Sequence, residues 1–265
     1  MAQSTTRSQD LTPRLGTPST PVVVTGGASG IGLATAEALS AVGRSVAIWD
    51  IDGPRADGAA RRLCDHFGTA ALGLRVDLRD PRAIADAALA TRSALGHVGA
   101  IVHSAGTAEV TGIGGVSPEN WDAGMALHAR AILSLVQEFR DDLKAAPCAA
   151  VVALASVNAT LGNGLIPIYS AAKGAVISLV RSMADELAND GIRINAVSPG
   201  QIDTPIIAAA KHALPGHFER RILLGRFGEP EEVARVIRFL LSEEASYITA
   251  AEIVVDGGNI NSSRQ

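Results

Sequence analysis

A short β-branched run, Pro21-Val-Val-Val-Thr25, breaks into the glycine turn Gly26-Gly-Ala-Ser-Gly-Ile-Gly32, and a helical pattern over 33–42 follows. A second apolar run, 45–49, ends on Asp50. Strand, glycine turn, helix and strand within about thirty residues form a βαβ unit, which commits the chain to a parallel crossover. The alternation then continues. Helices are expected over 56–67, 81–95, 118–145, from 167 to about 189, and 231–241. Strands are expected over 70–76, 98–102, 149–155, 193–198 and 252–255. Most of these strands are continuous apolar runs, as in a sheet covered on both faces. The expected fold is therefore α/β: one doubly wound Rossmann domain with a seven-stranded parallel sheet and helices on both faces. Ser117 and Pro118 suit the start of the long helix as N-cap and first-turn residue. Residues 201–228 are the least regular stretch and read as a mobile flap over a cleft, with a plain surface loop as the alternative.

The domain is expected over 21–259, preceded by a flexible tail, 1–20, rich in Ser, Thr, Pro and Gln, and followed by a short tail, 260–265. The first twenty residues lack the apolar segment of a secretory signal. A short arm packing on a neighbouring subunit is the other reading of that tail. The chain has 265 residues, 47% hydrophobic and 19% charged, which argues for one globular domain and against disorder. A net charge of −4 without a basic run argues against nucleic acid and anionic membrane surfaces as partners. No apolar run reaches the ~18–20 residues needed to span a bilayer. Cys64 and Cys148 follow no metal spacing and read as reduced thiols of a cytoplasmic protein. His66, His97, His212 and His217 show no ligand spacing, so no metal is expected.

Two sets of residues carry chemistry. Gly26, Gly30 and Gly32 let backbone N–H groups and a helix N-terminus approach a pyrophosphate. Asp50, eighteen residues after Gly32, stands where a carboxylate accepts ribose hydroxyls and repels a 2′-phosphate. Ser29 offers that phosphate no cation, so NAD is expected rather than NADP. The alternative for Asp50, a helix N-cap, is shared with Asp52. Asp77 ends the third strand and either meets the adenine or caps the next turn. The second set is Tyr169-Ser-Ala-Ala-Lys173, with Ser156 thirteen residues before the tyrosine. Tyrosine and lysine four apart share a helix face. The ammonium is expected to favour the ionised phenol, making a general acid/base, while the serine hydroxyl holds a substrate oxygen.

Together these residues resemble the short-chain dehydrogenase/reductase family over residues 21–259. Thr25-Gly-Gly-Ala-Ser-Gly-Ile-Gly32 matches its TGxxxGxG turn, Tyr169 and Lys173 its YxxxK, and Ser156 its serine. Pro199-Gly200 with Thr204 resembles the segment that orients the nicotinamide carboxamide. Asp256-Gly-Gly258 resembles the C-terminal signature. The resemblance implies that Tyr169 is the acid/base, that Ser156 holds the substrate oxygen, and that Lys173 binds the nicotinamide ribose. It also implies a cofactor contact set that adds Ile31, Leu78, Ser104, Ala105, Gly106 and Ile202. The chain has no methionine three residues after the tyrosine, which favours carbonyl chemistry over enoyl reduction.

Two departures stand out. Where the family has Asn-Asn-Ala-Gly, this chain has His103-Ser-Ala-Gly106, and His103 is expected as a structural substitute. Where the family has a relay asparagine seven residues after a tryptophan, Trp121 plus seven is His128. His128 is expected to hold the relay water instead; a histidine that only fills space is the alternative.

In this family the substrate lies against the loops after strands four, five and six. Here these suggest Glu109, Asn158 and Ile206 as contacts, with Lys211 nearby, and a ketone or secondary alcohol of modest size. NAD tilts the direction to oxidation. Met125, Leu127, Ile132, Leu135 and Phe139 read as more apolar surface on the long helix than one sheet face needs, and a homotetramer is expected, with a dimer second. The competing readings are an epimerase or dehydratase on the same fold, and a non-catalytic NAD-sensing protein.

Overall fold

The computed structural model describes residues 12–214 and 216–260. Among these, seven parallel strands run in the order β3-β2-β1-β4-β5-β6-β7. They are β1 (Val22–Thr25), β2 (Val46–Asp50), β3 (Ala71–Arg75), β4 (Ala100–His103), β5 (Ala150–Leu154), β6 (Arg193–Pro199) and β7 (Glu252–Val255). The helices are α1 (Gly30–Ser40), α2 (Gly53–Phe67), α3 (Pro81–Leu95), α4 (Pro118–Met125), α5 (Ala131–Ala145), α6 (Asn158–Leu161), α7 (Pro167–Asn189), α8 (Ala208–Ala213) and α9 (Pro230–Leu240).

Period-two side-chain direction sorts the strand residues into two cores. Val22 and Val24 face the layer of α1, α2 and α9 with Leu39, Leu63 and Ile237. Val23 faces the opposite layer with Trp49, Leu135, Phe139 and Val176. Trp49 stacks at a tilt on Phe139 and donates its indole N–H to Thr91 Oγ1 at 3.1 Å, so its one polar atom is satisfied in the core.

Strand order reverses between β1 and β4. In doubly wound sheets such a switch point opens the crevice in which ligands bind. The glycine turn after β1 and Ser104–Gly106 after β4 meet there.

The structure corrects several expectations. The single helix over 118–145 is two helices joined by a five-residue π-helical turn, Ala126–Arg130. Ser117 does cap α4, in a capping box with Asn120. Ile132, Leu135 and Phe139 are fully buried within the monomer, while Met125 and Leu127 are half-buried. The apolar surplus that suggested a tetramer is thus mostly core.

The expected tail is fastened where it is described. Arg14 pairs with Glu243, the Thr17 carbonyl accepts from the Glu243 N–H at 2.8 Å, and the Thr20 carbonyl accepts from the buried Arg44 at 3.1 Å. Residues 1–11 and 261–265 of the two expected tails lie outside the described residues. The irregular stretch 201–228 contains α8 and a short 3-10 turn, Glu219–Arg221. Its base is closed by a bridge between Ile202 and Gly228, and the Leu224 N–H donates to the Gly257 carbonyl at 3.1 Å. No helix among the described residues is long and apolar enough to cross a membrane.

Candidate active site

The crevice begins at the glycine turn. Gly26 adopts φ +63°, and a Cβ there would lie 2.7 Å from Ala105 Cα. Only a glycine lets the two loops close to this distance. A side chain at Gly30 would meet Thr204 Cγ2 at 3.3 Å, so the segment after β6 reaches the same turn. Ser29 is the N-cap of α1 yet makes no side-chain cap, and the first turn carries no acid. The N-terminal N–H groups of α1 are thus left without a side-chain partner and without a repelling charge, which fits a phosphate. Ile31 is half-buried in that turn, and Leu78 is buried after β3. Pro199, Gly200 and Ile202 follow at the carboxyl end of β6. These residues fit a dinucleotide.

Asp50 lies at the carboxyl end of β2, where it accepts the Ala28 N–H at 3.1 Å and the Asp52 N–H at 3.1 Å. Asp52, not Asp50, caps α2, accepting the Arg55 N–H at 3.1 Å. Asp77 takes its turn-capping alternative: it accepts the Arg79 N–H and pairs with the Arg79 guanidinium at 2.7 Å, which lowers its pKa. A cavity of about 490 Å³ opens beside the turn, lined in part by Ser29, Gly30, Arg55, Arg62 and Pro205. These two arginines were missed in the sequence. The signal was Arg55, five residues after Asp50 and in the first turn of the next helix.

Ser156, at the end of β5, and Tyr169 and Lys173, in the first two turns of α7, come together at the same sheet edge. Ser156 is buried; its hydroxyl accepts the Asn158 N–H at 3.1 Å and stands beside the Tyr169 phenol, where it favours the ionised form. Lys173 is buried and donates from Nζ to the Leu154 carbonyl at 2.6 Å. Its ammonium lies 5.5 Å from the centre of the Tyr169 ring, over the face.

This corrects the expected electrostatics. Burial raises the tyrosine pKa more than the neighbouring Ser156 hydroxyl lowers it, so the phenol is held above, not below, its ordinary value. The lysine itself is pushed down to about 7 by burial. A carbonyl that fixes a lysine has no side-chain signature, so the role of Leu154 was invisible in the sequence.

The two histidines pack beside this group. His128 sits in the π-turn, fully buried, its ring edge-on to that of Tyr169 with centroids 5.5 Å apart. Its Nε2 lies 3.0 Å from the Thr107 carbonyl and Nδ1 has no partner. Gly106 is tightly required here, since a Cβ would come within 2.5 Å of His128 Cε1. His103 Nδ1 meets Thr25 Oγ1 at 3.0 Å, directly across the β1–β4 ladder. His103 thus ties the two strands, as expected of a structural substitute. Burial first, then the Lys173 charge, hold His103 at about 3 and His128 at about 2. Both rings are neutral at physiological pH.

The loops after β4 and β5 are joined by the Thr111 and Gly112 N–H groups, which both donate to the Leu165 carbonyl at 3.0 Å. Val110, Ile113, Leu161 and Leu165 stand exposed on them, as do Glu109 on the first and Ile206 after β6. Asn158 is half-buried next to Ser156, and Lys211 is occupied by an ion pair with Asp203. Among the described residues no cluster of three His, Cys, Asp or Glu side chains is arranged to hold a metal.

A family model described as "Enoyl-(Acyl carrier protein) reductase" matches residues 26–259. The cis-4-hydroxycyclohexanecarboxylate dehydrogenase of Sinomonas cyclohexanicum is 37% identical over 239 residues, covering 89% of this chain and 94% of its own. The crystal structure of L-sorbose reductase from Gluconobacter frateurii, complexed with NADPH and L-sorbose, superposes with a TM-score of 0.87 at 29% identity, covering 94% of this chain and 99% of that one. An NADPH-bound short-chain oxidoreductase from Pseudomonas aeruginosa PAO1, described as containing an atypical catalytic center, gives a TM-score of 0.86 at 32% identity, covering 92% of this chain and 98% of that one.

Proposed function

This chain belongs to the short-chain dehydrogenase/reductase family, and from that premise we propose that it moves a hydride between NAD and a secondary alcohol or ketone of modest size, with Tyr169 as general acid/base. The observation that carries this reading is the convergence of Ser156, Tyr169 and Lys173 at one sheet edge, with the Lys173 ammonium 5.5 Å from the centre of the Tyr169 ring and the serine hydroxyl beside the phenol. When bound, the nicotinamide ring supplies the hydride acceptor or donor.

The chain's own residues do the proton chemistry. Ser156 holds the substrate oxygen next to the phenol, and Tyr169 removes or returns its proton. Lys173 stands at about 7, balanced between its two forms at neutral pH, which suits a group that passes protons on. In this reading it also binds the nicotinamide ribose. His128 stands where the relay group is needed, against the Tyr169 ring. Its Nε2 meets both the Thr107 carbonyl at 3.0 Å and the Thr107 N–H at 3.4 Å; with the proton on Nε2, directed to the shorter contact, the unpartnered Nδ1 is an acceptor.

The substrate reading rests on the apolar loop residues and on the name of the Sinomonas relative, which points to a hydroxylated six-membered ring. Asn158, Glu109 and Ile206 are the proposed contacts. For the cofactor, the Asp50 carboxylate favours NAD. Arg55 and Arg62 in the adjoining cavity, and NADPH in the two similar structures, favour NADP as the second reading. We also read the protein as a cytoplasmic homotetramer that oxidises alcohols, a proposal that light scattering checks for assembly.

The test is the rate of NAD and NADP reduction by purified protein on cyclic and acyclic secondary alcohols, with Tyr169→Phe alongside. Turnover with NAD that vanishes in the variant supports the reading. Turnover with NADP alone overturns the cofactor assignment. Tight NAD binding with no turnover on any alcohol or ketone favours a nucleotide-sensing protein.

A further inference from the structure

Resting on the dehydrogenase reading above, we propose that the substrate is an uncharged alicyclic alcohol or ketone, and that Glu109 is a specificity-determining residue that turns its anionic relatives away.

Two fastenings hold the loop after β4 beside the phenol. At its start, the Thr107 carbonyl and N–H meet His128 Nε2 at 3.0 and 3.4 Å, and the His128 ring packs on that of Tyr169. Further on, the Thr111 and Gly112 N–H groups both donate to the Leu165 carbonyl at 3.0 Å. Leu165 precedes Tyr169 by four residues. Residues 108–110 span the gap between these fastenings. Glu109 is two residues from Thr107 and two from Thr111, so its Cα lies within about 7 Å of either.

The surface these loops offer is aliphatic. Val110, Ile113, Leu161, Leu165 and Ile206 are all more than half exposed. Exposed apolar side chains gathered at a site mark a surface that an apolar group covers. Continuity with Tyr169 makes the body of the substrate that group.

The same loops hold almost no charge. Glu109 is the one charged residue over 104–116, and 155–166 has none. After β6, Lys211 is taken up by Asp203 and lies 4.8 Å from the centre of the Phe227 ring. Arg220 and Arg221 come later, in the short turn Glu219–Arg221. The residues after them, Ile222, Leu223 and Leu224, lie against Gly257 and Gly258 beyond β7. In the sheet, β5 and β6 separate β7 from β4. On the loops flanking Tyr169, a carboxylate or phosphate of a substrate would therefore meet Glu109 and, among the described residues, no unpaired lysine or arginine. Apolar neighbours weaken the screening of that repulsion. Repulsion is also how a site rejects a molecule that fits it by shape.

The probes are cis-4-hydroxycyclohexanecarboxylate and its methyl ester, which share ring and hydroxyl and differ by one charge. The readouts are kcat/KM with NAD and NADP, and calorimetric binding to the nucleotide-saturated protein. The parent is expected to favour the ester about fivefold. The preference should narrow as salt rises from about 10 mM to about 500 mM, because exposed charges are screened. Glu109→Gln should narrow it too, and Glu109→Lys should shift the ratio more than tenfold towards the acid. An acid used as well as the ester by the parent overturns the inference, as does a ratio that Glu109→Lys leaves in place. Leu165→Ser should raise KM for the ester about fivefold. An unchanged KM assigns the aliphatic surface to another occupant, such as a second copy of the chain, and overturns the apolar substrate class. Tighter binding of the ester without turnover overturns the dehydrogenase reading and leaves the selection against anions standing. Tighter binding of the acid, or binding of neither probe, overturns that selection whether or not alcohols are oxidised.

Discussion

The Asp50 carboxylate accepts the backbone N–H of Ala28 at 3.1 Å, tying the end of β2 to the glycine turn. One side chain thus shapes the turn and, in the reading proposed above, presents its charge to the adenosine end of the cofactor. Asp50→Ala is expected to cost about 1–2 kcal/mol in stability through two lost backbone bonds. It should also raise the ratio of kcat/KM for NADP over NAD at least tenfold. Denaturant melts and steady-state rates with both nucleotides check this; an unchanged ratio would show that Arg55 and Arg62, not Asp50, set the preference.

Lys173 gives a stability that depends on pH in a stated direction. Its folded pKa, about 7, lies below its ordinary value of 10.5 because burial disfavours the charge. Between these values the unfolded chain binds the extra proton, so this residue's penalty on the fold shrinks as pH rises from 7 towards 10.5 and is full below 7. Lys173→Met should abolish turnover. Its stability relative to the parent should be most favourable at pH 6–7 and should fall steadily to pH 10 in thermal melts.

The two buried histidines act at the acid end. Both folded values lie below the ordinary 6.5, at about 3 and about 2, so the fold keeps them neutral while the unfolded chain protonates. Their contribution is present above pH 6.5 and is lost as pH falls towards 3. Each histidine weakens the folding constant by up to about tenfold per pH unit in that window. Acid unfolding of the His103→Asn/His128→Asn variant should be correspondingly less steep. A slope equal to the parent's would mean that neither ring is held neutral.

Arg44 predicts a stability effect away from the chemistry. It is fully buried and donates to the Thr20 and Leu241 carbonyls at 3.1 Å each, closing the end of α9 onto the N-terminal segment. Arg44→Met leaves these acceptors unpaired. A loss of about 3 kcal/mol is expected, with kcat unchanged in the folded fraction. Chemical denaturation and active-site titration would test it.

Legibility followed how local each cause was. The bounds of α3 and β7 match the reading from sequence, because Pro81, Gly96 and the Asp256-Gly-Gly258 turn are strong local stops. The π-turn was not legible, since a five-residue widening leaves the apolar periodicity of 118–145 almost intact. The segment 14–20 has the composition of a tail, yet Arg14 and Thr17 find partners more than two hundred residues away. Met125 to Phe139 read as surplus surface because a helix pattern does not say how many layers will cover it.

The sequence alone determined the order of elements, the glycine turn, and the placing of Tyr169 and Lys173 on one helix face, because periodicity, turn chemistry and i,i+4 spacing act over a few residues. Only the tertiary structure decided which groups hold protons. Lys173 is lowered and Tyr169 raised by burial, where the Leu154 carbonyl holds the one and the His128 ring packs on the other. His103 meets Thr25 only where β1 and β4 pair, and His128 meets Tyr169 only where the π-turn packs on α7. Desolvation and hydrogen-bond partnering are summed over everything packed around a group, and no stretch of chain carries that sum.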